Sequence, residues 1–170
     1  MPVSYKTSTN IDHEKRVIEL ATWLFHPPEK GQPRIIRKTI GRSGLQDLMV
    51  IWEGWKGIPF EERTATILEA NDTLEETIKT DVYVAQGLTT DEAIALGYLP
   101  FRIEPIVKSS ENVDLERIVT AMKEEGGVET STGLQLRFTS LEEAQEVFVR
   151  LQKKVSGPFW MIVQEVLREG

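Results

Sequence analysis

The sequence predicts an α+β protein made of two small αββα-type units, with an apolar helix at the C-terminus. Amphipathic helix patterns alternate with short apolar runs bounded by Gly and Pro, and the order helix, hairpin, helix occurs twice. A polar segment, KSSEN at 108–112, separates the two occurrences and is typical of a linker. The predicted domains are therefore residues 1–105 and 111–170, the second being a helix-hairpin-helix-helix unit.

The first unit is predicted to begin with a helix that Asn10 caps and that Pro27 and Pro28 end. The apolar residues of this helix recur at helical spacing, at Val17, Leu20, Ala21 and Leu24. Strands are predicted at 34–40 and 48–52, because a β-branched run and the run LMVIW flank the tight connection GRSG. We expect these two strands to form a hairpin.

The rest of the first unit follows from capping and turn residues. Pro59 suits the first position of a helix, and the apolar residues after it continue at helical spacing. A break in this helix is expected at 71–76, because NDTLEE contains a capping-box pattern of its own. A third strand at 82–85 and a short helix that stops at Gly97 precede an extended segment at 100–107.

The second unit is predicted to contain a helix that ends at Gly126, a hairpin strand at 134–138 and a helix that Ser140 caps. The final segment, SGPFWMIVQEVLREG, is predicted to be a helix, because Pro158 suits a first turn and apolar residues follow at helical spacing. A helix with two apolar faces is expected to lie between the units or to dock on another copy of the chain. The oligomer interface is predicted at Phe159, Trp160, Ile162 and Val163.

Composition excludes several kinds of site. The chain has no cysteine, which excludes disulfides, thiolate zinc sites and cysteine-held iron–sulfur clusters. Its two histidines, His13 and His26, lie near opposite ends of the first predicted helix and are too far apart to share a metal ion. We therefore expect no metal and no cofactor. Without a membrane-spanning run or a signal-peptide core, the chain is expected in the cytoplasm and not in a membrane.

A basic segment stands out in a chain whose net charge is −7. It contains no acid, and its cations are Lys30, Arg34, Arg37, Lys38 and Arg42. One interpretation is a small patch that binds an anion or a nucleic acid. The preferred interpretation is a strand whose polar edge faces the acidic middle of the chain, because an acidic protein has little general affinity for phosphate backbones. Nucleic acid is therefore not the expected partner.

A second candidate site is both aromatic and basic. It consists of Trp52, Trp55, Phe60 and Arg63, with Tyr98 and Phe101 as further candidates. These side chains would line a groove for a ligand or a partner if strand and helix converge, because a guanidinium beside an indole can hold a carboxylate, a phosphate or a carbonyl. The alternative is structural, with Trp52 in the core, Trp55 over the end of the hairpin and Arg63 paired with an acid.

The segment 55–63, WKGIPFEER, resembles the aromatic-x-Gly-hydrophobic-x-x-x-x-Arg segment of the BolA family, with Trp55, Gly57, Ile58 and Arg63 at matching positions. The segment 88–93, LTTDEA, is similar to the Thr-Pro-Glu-Glu segment that follows the third strand of that family. The resemblance covers about residues 11–100 and leaves the C-terminal 70 residues unmatched. It implies an αββααβα fold related to class II KH modules, used for binding.

The same resemblance argues against the function for which the family is best known. Family members place a histidine directly after the matching arginine, whereas this chain has Thr64 there. A second histidine near the third strand serves the family as a ligand of an iron–sulfur cluster shared with a monothiol glutaredoxin, and here the region is TDVYVAQ. Because threonine and valine cannot hold such a cluster, we expect no glutaredoxin-linked iron role.

No catalytic residue is predicted. Phosphate loops, dinucleotide-binding turns, metalloprotease helices and nucleophile elbows are all absent from the sequence, and paired acids such as Glu61 and Glu62 do not face one another on a helix. The preferred interpretation is a non-enzymatic protein-binding or regulatory module, expected to be a homodimer. One alternative is a KH-like nucleic-acid-binding module, although a Gly-x-x-Gly loop with flanking basic residues is missing. The other is a small-molecule enzyme or sensor that uses Trp55 and Arg63.

Overall fold

The computed structural model describes residues 5–77, 79, 81–107, 114–156 and 158–166, with side chains from residue 11 onward. The chain divides into two compact units, Met1–Thr89 and Thr90–Gly170. The predicted α+β class is confirmed, because both units combine helices with a small sheet. The predicted linker at 108–112 lies outside the described residues. Among the described helices, none is long and apolar enough to cross a membrane.

The first unit has the predicted order of helix, hairpin, helix and strand. Its elements are α1 (Tyr5–Phe25), β1 (Arg34–Thr39), β2 (Gln46–Ile51), a 3₁₀ turn (Glu53–Trp55), α2 (Phe60–Asp72) and β3 (Val82–Leu88). β1 and β2 are antiparallel, and β3 pairs with β2 in parallel. Several boundaries differ from prediction: Asn10 lies inside α1 instead of capping it, β1 ends one residue before residue 40, β2 spans Gln46–Ile51 instead of 48–52, and β3 continues beyond residue 85.

Apolar side chains of both helices meet the sheet in the core of the first unit. The buried members of this core are Leu20, Leu24, Leu48, Val50, Trp55, Ile67, Ala70 and Ala85. The expected break after α2 is found, because the helix ends at Asp72. The amide of Thr73 bonds back into the last turn of the helix. Pro59 stands at the N-cap of α2, next to its predicted position as the first helical residue.

The second unit contains a four-stranded antiparallel sheet with two helices packed against it. Its elements are α3 (Thr90–Ala95), β4 (Phe101–Ile106), α4 (Leu115–Glu124), β5 (Val128–Thr130), β6 (Gly133–Phe138), α5 (Leu141–Lys154) and β7 (Phe159–Gln164). The strand order is β5-β6-β4-β7, so the first and last strands of the unit are neighbours. From β4 onward this is the βαββαβ arrangement called ferredoxin-like.

Two predictions about the second unit are wrong. The terminal helix is a strand, because Phe159–Gln164 pairs antiparallel with β4 along its whole length. The predicted domain boundary lies too late in the chain, since β4, which was assigned to the first unit, supplies a central strand of the second sheet. Both errors have one cause: β4 and β7 pair only with elements that are distant in sequence, and local patterns do not report such pairing.

Candidate interaction site at the edge of the second sheet

β7 is an edge strand that carries no charge. Its six residues, FWMIVQ, pair with β4 on one side, and no other described strand pairs with them. Phe159 is 69% exposed and Met161 is 37% exposed, whereas Trp160 between them is 3% exposed and belongs to the core. An exposed edge without charge, proline or bulge is a template for another strand.

The sequence folds locally into this strand because of where its side chains can be buried. Trp160 and Ile162 alternate with Phe159, Met161 and Val163, which suits one buried and one open face of a sheet. Aromatic and β-branched residues also favour strands. Trp160 packs into a core of Ile103, Leu136, Phe138, Ala144, Val147 and Leu151, and a helix would lose the pairing with β4 that brings it there.

The backbone amides and carbonyls of β7 point toward β4 at one residue and away from β4 at the next. The amide of Glu165 donates to the carbonyl of Pro100 at 2.8 Å, and the register places these two residues opposite each other. In an antiparallel pair every second residue exchanges such bonds, so Phe159, Met161 and Val163 also bond toward β4. The amides and carbonyls of Trp160, Ile162 and Gln164 therefore point away from β4, toward the side on which a further strand would lie.

One side of α5 continues this uncharged edge. α5 packs on β7, β4 and β6, whereas α4 packs on β6, so the side of α5 that faces away from α4 lies toward β7. Helical spacing places four residues there, which we call the α5 flank: Leu141, Gln145, Phe148 and Gln152. Leu141 and both glutamines are exposed, and Phe148 is partly buried against the core. The flank thus offers apolar and amide groups but no charge.

The charged residues of α5 lie on its other sides. Arg150 donates to the buried carboxylate of Glu125 at 3.0 Å, and Nζ of Lys154 lies 2.9 Å from the same carboxylate, so this side of the helix faces α4. Glu142, Glu146 and Lys153 are exposed on the side that faces away from the sheet. Burial raises the pKa of Glu125, but the hydrogen bonds from Lys154 and Arg150 outweigh burial and hold this pKa below 4.5.

A second polar cluster lies where β7 ends. Glu165 pairs with Arg102 and with Arg137, whose Nη1 lies 2.9 Å from the Glu165 carboxylate and 3.2 Å from the carbonyl of Leu99. The hydrogen bond from Arg137 lowers the pKa of Glu165 and outweighs the opposing effect of burial. A cavity of about 240 Å³ adjoins Arg137, Glu165, Ile94 and Leu99. The carboxylate and guanidinium groups of this cluster already neutralise each other. Their ion pairs connect Glu165 to Arg102 and Arg137, and so fasten the end of β7 to the sheet.

The predicted aromatic groove is a packed cluster in the first unit. The indole of Trp55 is 0% exposed and donates to the carbonyl of Val50 at 3.1 Å, and its ring meets that of Trp52 edge to face at 5.0 Å. Arg63 is 5% exposed, and its guanidinium donates to the carbonyls of Ile58 and Gly87.

Phe60, the fourth predicted member of the groove, is exposed and lies 4.4 Å from the Arg63 guanidinium. Gly87 shows how tightly the rest of the cluster is packed, because a Cβ there would lie 2.8 Å from the Trp55 ring. Tyr98 and Phe101 belong to the second unit. The geometry favours the structural interpretation, in which backbone carbonyls hold the Arg63 guanidinium.

The cations of the predicted basic segment lie on different faces, because successive side chains of a strand point to opposite faces of the sheet. Arg34 and Lys38 share one face of β1, and Arg37 lies on the other, where its Nη2 donates to the carbonyl of Leu24 at 2.9 Å. Burial lowers the pKa of Arg37. Lys38 stands opposite Asp47 in the register of the hairpin. Lys30 and Arg42 lie in the segments before and after the strand, so the five cations do not share one face.

The described part of the chain contains no group of three or more metal-binding side chains. A scan against protein-family models, a search of curated proteins and a search of solved structures each found no significant match. The BolA-like resemblance of residues 11–100 therefore remains a prediction, and the function has to be inferred from the geometry.

Sequence reasoning missed the α5 flank and the strand character of β7, although it did single out four residues of β7. The signal for the strand was present: a five-residue apolar run, FWMIV, rich in aromatic and β-branched residues and bounded by Gly157 and Pro158 on one side and by Gln164 and Glu165 on the other. A run this short does not by itself distinguish a strand from a helix. The flank can be found in sequence only once α4 is known to lie on the opposite side.

Proposed function

We propose that this chain is a non-enzymatic protein-binding module, and that it binds by adding a partner strand to the edge of β7. The observation that carries this proposal is the uncharged edge strand, with Phe159 and Met161 exposed and with alternate amides and carbonyls directed outward. In strand addition, main-chain hydrogen bonds supply the affinity and alternating side chains supply the specificity. The α5 flank lies beside this edge and would extend the contact.

The proposal also covers the cellular location of the chain and the arrangement of the first unit. A cytoplasmic location is part of it, because a chain without cysteine needs no oxidising compartment. For the first unit we propose a BolA-like arrangement, supported by the resemblance at Trp55, Gly57, Ile58 and Arg63 and by the order α1, β1, β2, α2, β3. At the position of the family histidine, Thr64 donates to the carbonyl of Ala85, which is a structural contact between α2 and β3.

The nucleic-acid alternative has less support from the geometry. Gly54 and Gly57 have Gly-x-x-Gly spacing, but Trp55 between them is buried and Lys56 lies 3.0 Å from Glu53. In the second unit the two central strands carry no aromatic residue on the face away from the helices, where an RNA-binding sheet would stack bases. The ligand-sensor alternative would need Trp55 and Arg63, which are both covered.

A strand probe tests the proposed function. The probe is a fluorescent peptide with the sequence FWMIVQ between soluble lysine tails, and its anisotropy is measured as the full chain is added. We expect binding to the native chain that Met161→Lys abolishes, because a lysine would stand in the centre of the receiving edge.

Leu115→Lys is the matched control for this titration, because it places the same charge on an exposed apolar residue of α4. This variant should bind the peptide as the native chain does. Peptide binding that survives Met161→Lys, or no binding at all, would contradict strand addition at β7. In either case the exposed apolar residues of β7 would need another explanation.

A further inference from the structure

We infer that the strand received by β7 is the β7 of a second copy of this chain, antiparallel to the first and with the two Met161 residues opposite each other. This inference rests on the proposed function and names its partner. The contact would join two four-stranded sheets into one sheet of eight strands, with the α5 flanks of both copies facing each other on the helix side.

The distribution of charge along β7 and the α5 flank is compatible with a second copy as the partner. The chain as a whole carries −7, so two copies repel each other over much of their surface. β7 and the α5 flank carry no charge, whereas the rest of α5 carries Glu142, Glu143, Glu146, Arg150, Lys153 and Lys154. Because β7 and the α5 flank carry no charge, the same surfaces of two copies can meet without bringing like charges together.

The faces of the strand limit the register to a centre that falls on a residue, and the side chains then favour Met161. For two copies related by a two-fold axis perpendicular to the sheet, residues that face the same side must stand opposite each other, so the centre falls on a residue and not between two. A centre at Met161 places Phe159 opposite Val163 and Trp160 opposite Ile162, so that a larger side chain meets a smaller one each time. A centre at Ile162 would place Glu165 opposite Phe159 and bring a carboxylate into the strand.

The backbone pattern agrees with a centre at Met161. Trp160 and Ile162 direct their amides and carbonyls outward, so each would exchange hydrogen bonds with the other residue of the second copy. Met161 bonds toward β4, and the two Met161 residues would form a non-hydrogen-bonded pair with Cα atoms about 4.5 Å apart. That separation is within the range that a disulfide spans, about 4.4–6.8 Å.

The absence of cysteine from the chain makes the register directly measurable. Met161→Cys introduces the sole thiol of each copy, on an exposed side chain at the predicted centre. Under mild oxidation we expect this variant to form a disulfide-linked dimer, seen as a doubling of mass on non-reducing electrophoresis. Val163→Cys alone is the matched control and should stay unlinked, because two Val163 residues would lie about 14 Å apart along the strands.

Mixing two variants sharpens the register further. Phe159→Cys and Val163→Cys should each stay unlinked alone and should link to each other when mixed, because the register places these positions opposite one another. A link in Ile162→Cys in place of Met161→Cys would overturn the register, and circular dichroism would show that each variant is folded. Light scattering of the native chain should give the mass of a dimer, and the strand peptide should convert that dimer to a monomer.

The experiments can contradict a second copy as the partner without contradicting strand addition at β7. A native chain that is monomeric at all concentrations, with Met161→Cys unlinked, overturns the second copy as the partner. If that monomer still binds the strand peptide through Met161, then β7 receives a strand from another protein and the proposed function stands. If the peptide does not bind either, both fall.

Discussion

β1 and β7 are both edge strands of six residues, one in each sheet, but they differ in how their edges are protected. β1 has the sequence RIIRKT, with a cation on both faces, and a charged edge discourages pairing with another chain because the charge would lose water. β7 has the sequence FWMIVQ and has no such protection. β1 therefore carries a common protection against strand pairing that β7 lacks.

The remaining two edges support this comparison. β5 has only three residues, which is too short to serve as a template for a strand. β3 is uncharged and exposes Tyr83 and Val84, but its pairing with β2 shifts register at Gln46/Asp47. An irregular edge pairs poorly with a straight strand. Among the described strands, β7 is therefore the long, regular and uncharged edge.

The largest expected effect tests whether β7 has a buried face at all. Trp160→Ala should lower the free energy of unfolding of the second unit by about 3–5 kcal/mol, because it removes an indole from the core. The neighbouring Phe159→Ala should change it by less than about 0.5 kcal/mol, because that ring is exposed. Both are compared in the Met161→Lys background by urea denaturation, so that association does not contribute. Similar losses for the two variants would mean that the strand does not lie as described.

The next expected effect comes from placing in β7 a charged side chain of the kind that protects the edge of β1. Met161→Lys should raise the dissociation constant of the proposed dimer at least about tenfold, equivalent to 1.4 kcal/mol, because two lysines would meet at the centre of the contact. Sedimentation equilibrium measures the constant directly. The stability of the second unit itself should change little, since Met161 is partly exposed. Leu115→Lys serves again as the control, and an equal loss of dimer in that variant would point to net charge instead of the edge.

A smaller effect concerns the protected edge. Arg37→Met keeps the aliphatic stem but removes the guanidinium that bonds the carbonyl of Leu24, in the last turn of α1. We expect a loss of about 1 kcal/mol in the free energy of unfolding of the first unit, because a helix C-terminal carbonyl loses a cationic donor. Lys38→Met, which removes a neighbouring charge on the other face, should cost less. If the two variants are equal in thermal or urea denaturation, the bond to Leu24 contributes nothing.

Much of the fold could be predicted from the sequence, because most of its elements are local. The Ser140 cap is observed, as its hydroxyl accepts from the amide of Glu143, and α4 and the hairpin of β1 and β2 lie near their predicted positions. β7 could not be assigned, since its identity depends on β4, more than fifty residues earlier in the chain. Tertiary pairing overrode a pattern that fits a helix equally well.

The candidate site was predicted in part. Phe159, Trp160, Ile162 and Val163 were chosen because an apolar terminal segment must be buried somewhere, and that reasoning holds for a strand as well as for a helix. The distinction between buried Trp160 and exposed Met161 required the period of the segment, which the helix assignment had wrong. The aromatic groove shows the opposite case, because indoles and guanidinium groups suit a core and a binding site alike.

The smallest expected effect concerns the ion pairs that fasten the end of β7. The pKa of Glu165 is lowered in the folded chain by Arg137 and Arg102, so its contribution to stability is present above the unfolded pKa of about 4.5 and is lost as the pH falls through the folded value. Urea denaturation at pH 7 and at lower pH should therefore show a loss of stability on acidification, to which Glu125 contributes in the same direction. Glu165→Gln should reduce the size of this loss and leave the pH dependence of the first unit unchanged. An unaltered profile would mean that the end of β7 is held by its pairing with β4 alone, and that the charges at Arg102 and Arg137 serve some purpose other than fastening the strand.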